Sequence, residues 1–397
     1  MTADFFRNNR QALLDRIGTR ALIVISGYSE MQQMNDMAAP FEQEGNFWYL
    51  SGISAPNWWL IIDGSKSLAV APEIDDVKQT FDGSLNIEDA KDHSGVNRVI
   101  GRDEALIYLR SAARHHALVY TTTQPKYVRE YASFHLNPAQ AELKATLERT
   151  FKKVSECNKE LATLRTIKQP EEVSAITRAI NLTVDAFDKM RSELDSYKYE
   201  YEPEAKLTYE IRRKGATGHA YQPIVGGGEN ACTLHYVHNG SPLKKRSLLL
   251  FDVGARIDGY AADISRTYAI GQPTRRGKDV HDAVREAQQS IIDELIPGRS
   301  LNEYQTKVDQ HIAKALKSLK LDVSDIHVYM PHAIGHGLGV DVHDALAGYD
   351  TVQPGMVLTV EPGIYLPDEG IGVRIEDDIL ITEKGPKNLS GHLDRGM

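Results

Sequence analysis

An Asp-Gly pair between two strand-like runs constrains this chain more than any other feature. Ser247 to Val253 and Tyr260 to Ile270 are apolar and β-rich, and Ile257-Asp258-Gly259-Tyr260 joins them. Asp-Gly favours a two-residue hairpin turn, in which both central residues need positive φ. That turn pairs Ile257 with Tyr260 and sets Gly254 opposite Asp263. Asp252, two residues from Gly254, then shares Asp263's side of the sheet. A one-residue slip would separate the two acids, so their proximity depends on the turn. Asp252 also ends the apolar run Leu248-Leu249-Leu250-Phe251, where a buried carboxylate needs a partner or a metal.

Acids recur near the C-terminus. Thr359 and Glu361 share one face of a predicted strand; Arg374 and Glu376 share another, with Val373 and Ile375 on its reverse. Before them, Pro331 to His343 holds His332, His336 and His343 among glycines that let backbone or substrate approach closely. Taken singly, a strand-borne acid is usually a solvated face and a lone histidine a hydrogen-bonded structural residue. Together, Asp252, Asp263, Glu361 and Glu376 with one imidazole form a hard, oxygen-rich donor set suited to Mn²⁺, Mg²⁺ or Co²⁺-like ions. So many acids would repel unless cations neutralised them. Two bridged ions roughly 3.5–4 Å apart are the economical expectation, and such a pair activates water near neutral pH.

A chain of 397 residues, 41% of them hydrophobic, can give each of two domains its own core. Residues 1–154 read as a small α/β domain, with strands expected at Ala21 to Ile25, Phe47 to Leu50, Trp58 to Ile62 and Ala117 to Thr122. Pro138 to Thr166 reads as a helical connection, and 155–397 as the second domain, of mixed α/β (α+β) class. In that domain Pro170-Glu171-Glu172 is a helix start, with Val173, Ile176, Ile180, Val184 and Phe187 on one face. Further helices are predicted over Glu204 to Lys214, over Asp279 to Leu295, and from a capping box at Ser300 to Glu303. Strands are expected at Ala220 to Val225, Thr233 to Val237, Met356 to Glu361 and Gly372 to Thr382. Gly226-Gly227-Gly228-Glu229-Asn230 precedes a strand-like run rather than a helix and lacks a Lys-Ser/Thr pair, so it reads as a turn, not a phosphate loop.

Lys+Arg 46 against Asp+Glu 55 gives a formal net charge of -9, which opposes attraction to nucleic acid or anionic lipid. Two cysteines, Cys157 and Cys232, suggest reduced thiols rather than a disulfide framework. The first residues lack a leader pattern, and no run approaches the roughly 20 apolar residues of a membrane helix. A cytoplasmic protein is expected.

The segments Leu250 to Ala255, Asp263 to Thr267, His336 to His343, Val360 to Tyr365 and Val373 to Asp377 together resemble the aminopeptidase P and prolidase family. Phe47 to Gly52 with Pro56 resembles the N-terminal domain of aminopeptidase P in particular. The resemblance implies a C-terminal pita-bread fold holding two divalent ions, manganese first and Co²⁺, Zn²⁺ or Mg²⁺ as alternatives. Asp252 would bind one ion, His336 and Glu361 the other, and Asp263 and Glu376 would bridge. It implies cleavage before proline by a bridging hydroxide, with Glu361 relaying a proton to the proline nitrogen. His235 and His343 would stabilise the oxyanion, His332 would line the proline pocket, and Arg374 would orient Tyr365 or the substrate. Trp48 reads either as a residue reaching the substrate or as part of a local core. His238, His281 and His311 match no role.

The expected activity is Xaa-Pro aminopeptidase, acting on proline-containing peptides as a homodimer or higher homo-oligomer, with neither nucleic acid nor membrane as a partner. The runner-up is an Xaa-Pro dipeptidase. Creatinase-like and methionine aminopeptidase-like activities fit less well, as does a non-catalytic binding module.

Overall fold

The computed structural model describes residues 1–124, 128 and 135–397. They divide into two compact units, Met1–Leu164 and Arg165–Met397.

The first unit is built on a mixed six-stranded sheet. Its spatial order is Arg98–Ile100, Lys66–Val70, Trp59–Asp63, Leu22–Ser26, Leu118–Thr121 and Lys153–Glu156. Leu22–Ser26 lies inside the sheet and is buried along its whole length, which is why it reads as an uninterrupted apolar run. Three of the four expected strands form. The fourth, Phe47 to Leu50, is instead part of the helix Gly45–Ser51. Glu44 caps that helix by accepting the Phe47 N–H (2.6 Å), and Gly52 closes it in the left-handed conformation (φ 68°). These two caps outweigh the β preference of the aromatic run. Likewise, Lys153–Glu156 inserts a strand between the helices Ala139–Thr150 and Asn158–Thr166, where a helical connection was expected.

In the second unit the helix Pro170–Arg191 begins with a reciprocal capping box between Gln169 and Glu172 and buries Ile176, Ile180, Val184 and Phe187. Ser300 caps Leu301–Ser318 by accepting the Glu303 N–H, while the Glu303 carboxylate turns to Arg299 (3.5 Å) and leaves the box half made. Three three-stranded antiparallel sheets follow among the described residues, one of them Tyr260–Ala261, Ala255–Ile257 and Gly218–His219. The other two are larger. One joins Ile224–Gly227, Leu248–Val253 and Ile264–Ala269; the other joins Val357–Val360, Asp377–Thr382 and Gly385–Asn388. Val284 and Ile291 of Arg275–Asp293, and Val308 and Ile312 of Leu301–Ser318, share a core with Leu358, Val360, Val373, Ile375 and Ile379. The opposite side chains of those strands are left to face the candidate site.

Four expected strands are altered. Ala220 to Val225 forms only from Ile224, as Ile224–Gly227, and Tyr260 to Ile270 opens at Ala262 and Asp263 into Tyr260–Ala261 and Ile264–Ala269. Thr233 to Val237 forms no strand; it follows the short 3-10 turn Gly228–Cys232 as irregular chain. Gly372 to Thr382 breaks at Ile375 and Glu376, whose N–H groups donate to Pro362 O (3.4 Å) and Ser265 O (3.0 Å) rather than along one ladder. Among the described residues no helix is long and apolar enough to cross a membrane.

Candidate active site

The hairpin forms as its turn chemistry dictates. Asp258 and Gly259 both take positive φ (53° and 82°), Ile257 pairs with Tyr260, and the same register continues to Val253 opposite Ile264 and Asp252 opposite Ser265. Gly254 sits where the ladder opens. A Cβ there would stand 1.7 Å from the Ala262 carbonyl oxygen, so only glycine lets the strands pass. Asp252 and Asp263 consequently face the same side. The Tyr221 hydroxyl lies 2.5 Å from Oδ1 of each. A phenol carries one proton, so it cannot donate to both carboxylates at once. The second oxygen of Asp252 accepts from Arg374 Nη2 at 2.6 Å.

His336 approaches on irregular chain bonded to the strand Val357–Val360, its carbonyl accepting from Thr359 N (2.9 Å). Its N–H donates to Thr359 Oγ1 (3.0 Å), and its Nδ1 lies 2.9 Å from the Gly337 carbonyl, which assigns the proton to Nδ1. Nε2 then points at Asp263 Oδ2 (3.4 Å) and Glu361 Oε1 (3.6 Å). Glu376 is buried, with Oε2 accepting from Ser265 Oγ (2.8 Å). Ligand atoms of Asp263, His336 and Glu376 all lie within 4.8 Å of one another.

The electrostatics show the strain of that assembly. Burial and the neighbouring Asp252 raise the Asp263 carboxyl, and burial with Asp263 and Glu361 raises Glu376 well above the usual carboxylate range. Burial pushes Glu361 up to about 7. For His336, burial lowers the pKa, but Asp263 and Glu361 outweigh it and hold the imidazole up to about 9. Buried acids sharing one space, a phenol unable to satisfy two of them, and an imidazole whose fixed Nδ1 turns Nε2 toward those acids all fit divalent metal.

Around this centre lie the remaining predicted residues. His332 Nδ1 donates to the Ala333 carbonyl (2.8 Å), so His332 Nε2 accepts from the Tyr365 hydroxyl (2.9 Å), whose oxygen in turn accepts from Arg374 Nη1 (2.8 Å). His332 Nδ1 lies 3.6 Å from Glu361 Oε2. The His343 ring stands 4.2 Å from that of His336. His235 is exposed, and its imidazole is close enough to act electrostatically on both His332 and His343. Burial is the main cause lowering His332 and His343 to about 4, so both rings are neutral near pH 7.

Eight of the nine predicted site residues, Asp252, Asp263, His336, Glu361, Glu376, His332, His343 and Arg374, are thus drawn into one assembly, and the ninth, His235, lies at its edge. Trp48 is buried in the first unit, edge-on to Phe6 at 5.8 Å, in keeping with a local core. Gly226 to Asn230 forms a strand end and turn, as expected. Tyr221 and Asp378 had no sequence signal. Asp378 is fully buried beneath the centre and accepts the Asp263 N–H at Oδ2 (3.3 Å), while its Oδ1 has no hydrogen-bond partner among the described residues.

The model of metallopeptidase family M24 matches residues 174–383, and that of the aminopeptidase P N-terminal domain matches residues 6–120. The chain belongs to metallopeptidase family M24. This M24 chain is 30% identical over 416 residues to the Xaa-Pro aminopeptidase of Escherichia coli (strain K12), covering 97% of the chain and 94% of that relative. It is 28% identical over 353 residues to the Xaa-Pro dipeptidase of Pyrococcus furiosus, covering 87% and 90%. The structure of E. coli aminopeptidase P with the inhibitor Pro-Leu superposes with a TM-score of 0.87 at 28% identity, covering 100% of this chain and 96% of that one. The M24 catalytic unit therefore has the pita-bread fold, and the chain is a metal-dependent peptidase.

Proposed function

We propose that this chain is a two-metal Xaa-Pro aminopeptidase, with Asp252, Asp263, His336, Glu361 and Glu376 as ligands and Mn²⁺ as the first metal to test. The observation that carries the reading is the packing of Asp263, His336 and Glu376 within 4.8 Å, with Glu361 and Asp252 beside them. Divalent ions bound there supply Lewis acidity and lower the pKa of water toward neutrality.

The chain's own residues do the rest. Glu361 would hand a proton to the departing proline nitrogen. His343 and His235 donate hydrogen bonds to the scissile carbonyl oxygen as it gains negative charge. His332, fixed by Tyr365, lines the proline ring. Arg374 ties Tyr365 to Asp252 and so holds the proline side of the site to the metal side. Proline lacks a backbone donor and fixes φ, so a site that recognises the ring and carbonyl suits it better than one that pairs with an extended strand.

Preference for peptides longer than Xaa-Pro is supported by the named activity of the E. coli relative and by Pro-Leu as the inhibitor in its homologue's structure. The Pyrococcus furiosus relative keeps the dipeptidase as the second reading. The test is hydrolysis of Xaa-Pro-Yaa against Xaa-Pro by metal-free protein reloaded with Mn²⁺. Turnover of the dipeptide alone would reverse the order, and no metal-dependent turnover of either would sink the assignment.

A further inference from the structure

We infer that Glu200 is a positioning residue for His235, an inference that rests on the role given to His235 above. Glu200 precedes the helix Tyr201–Arg212 and is only 1% exposed, yet it makes no ion pair with a cation among the described residues. Its carboxylate is filled from one segment of chain. Oε1 accepts from Gly227 N (2.8 Å) and Asn230 Nδ2 (2.9 Å); Oε2 accepts from Tyr236 Oη (2.8 Å) and Ser241 N (2.8 Å). Four donors match the four lone-pair sites of an ionised carboxylate.

That segment, 227–241, carries His235 and has little regular structure to hold it. Between Asn230 and Asn239 its backbone makes two local bonds, Thr233 N to Asn230 O and Tyr236 N to Thr233 O, each 3.1 Å. The far end has a second tie. Asn239, buried and in the left-handed conformation (φ 46°), accepts from Val225 N (2.9 Å) and donates to Pro223 O (2.9 Å) and Glu204 Oε2 (3.0 Å). Glu200 and Glu204 thus pin both ends of the segment to the start of one helix. His235 makes no hydrogen bond of its own among the described residues, so its place is inherited from Tyr236, its neighbour and a direct partner of Glu200.

An amide cannot substitute. Gln at 200 would turn an NH₂ toward two of the four donors, and at least one of the backbone N–H groups or side-chain donors would lose its acceptor. The segment would relax, and His235 would drift from the position where charge develops. Misplacement of about 1 Å is enough to lose much of a catalytic donor's effect.

The test is a double-mutant cycle in Mn²⁺-loaded protein. Glu200→Gln should lower kcat on a Xaa-Pro-Yaa tripeptide by about 10- to 100-fold, with KM changed less than about threefold. Mn²⁺ affinity, measured by calorimetry, should stay the same. In a His235→Ala background the same substitution should change kcat by less than about twofold. Tyr236→Phe removes one donor and keeps the carboxylate; it should give a smaller loss that also vanishes without His235, and it decides the matter if Glu200→Gln does not fold. Independent, multiplying losses in the cycle, or loss of Mn²⁺ affinity, would overturn the inference while leaving the role of His235 intact. Near-normal turnover by His235→Ala alone would instead overturn that role, and the inference with it.

Discussion

Stripping divalent metal from this protein should make its stability fall as pH rises, and the structure sets the scale. Asp263, Glu361 and Glu376 have folded pKa values above their ordinary ones, so the folded state keeps their protons longer than the unfolded chain does. That contribution is fully present below the unfolded pKa and is lost as pH passes the folded one. For Glu361 the window runs from 4.5 to about 7, equivalent to about 3 kcal/mol. His336, also raised, extends the decline from 6.5 to about 9. In a unit of this size about 3 kcal/mol corresponds to a Tm change of about 6–12 °C. Metal should reverse the effect, because ligands bind it deprotonated. At pH 7 loading should release at least about one and a half protons, about one from His336 and about half of one from Glu361, with any from Glu376 and Asp263, both raised, in addition. Calorimetry in buffers of different ionisation enthalpy counts them, and Tm with and without Mn²⁺ from pH 5.5 to 7.5 follows the stability. Release of less than one proton, or a Tm gain that does not grow with pH, would refute the account of the cluster.

Asp263→Asn should abolish turnover while leaving the chain folded by circular dichroism, since it removes one charge from the centre of the proposed metal site. Gly254→Ala should destabilise the second unit by at least about 3 kcal/mol in urea, because its Cβ would meet the Ala262 carbonyl oxygen at 1.7 Å. Arg266→Ala should cost about 3–5 kcal/mol in the same assay: it strips the nearer cation from buried Asp377 (2.6 Å), leaving Arg395 at 3.9 Å, and the donors from the Ser265, Glu376 and Leu393 carbonyls.

What could be read ahead of the fold was what short stretches of chain decide for themselves. Asp258-Gly259 specifies a turn, the turn specifies a register, and the register brings Asp252 and Asp263 to one side. Alternation likewise placed Arg374 and Glu376 together, and both reach Ser265. Joining these pieces with His336 and Glu361 took the family pattern, since the two sheets meet across more than 70 residues of sequence. Misreadings arose where a distant or atypical partner intervened. Glu44 is an unusual helix cap, so Phe47 to Leu50 looked like a strand. Thr233 to Val237 closes local turns, Thr233 N to Asn230 O and Tyr236 N to Thr233 O, and its Tyr236 bonds Glu200 instead of a sheet neighbour. Tyr221 and Asp378 act only through side chains made close by folding, and nothing in their own neighbourhood announces it.

The unbroken register of the Asp258-Gly259 hairpin also sets a rule for altering chain length. Adding one residue to each arm keeps every pair from Val253 and Ile264 outward aligned, whereas adding a single residue to one arm turns Asp263 away from Asp252. A tag or sensor loop grafted between Asp258 and Gly259 therefore leaves the two acids together so long as no residue is added within either arm.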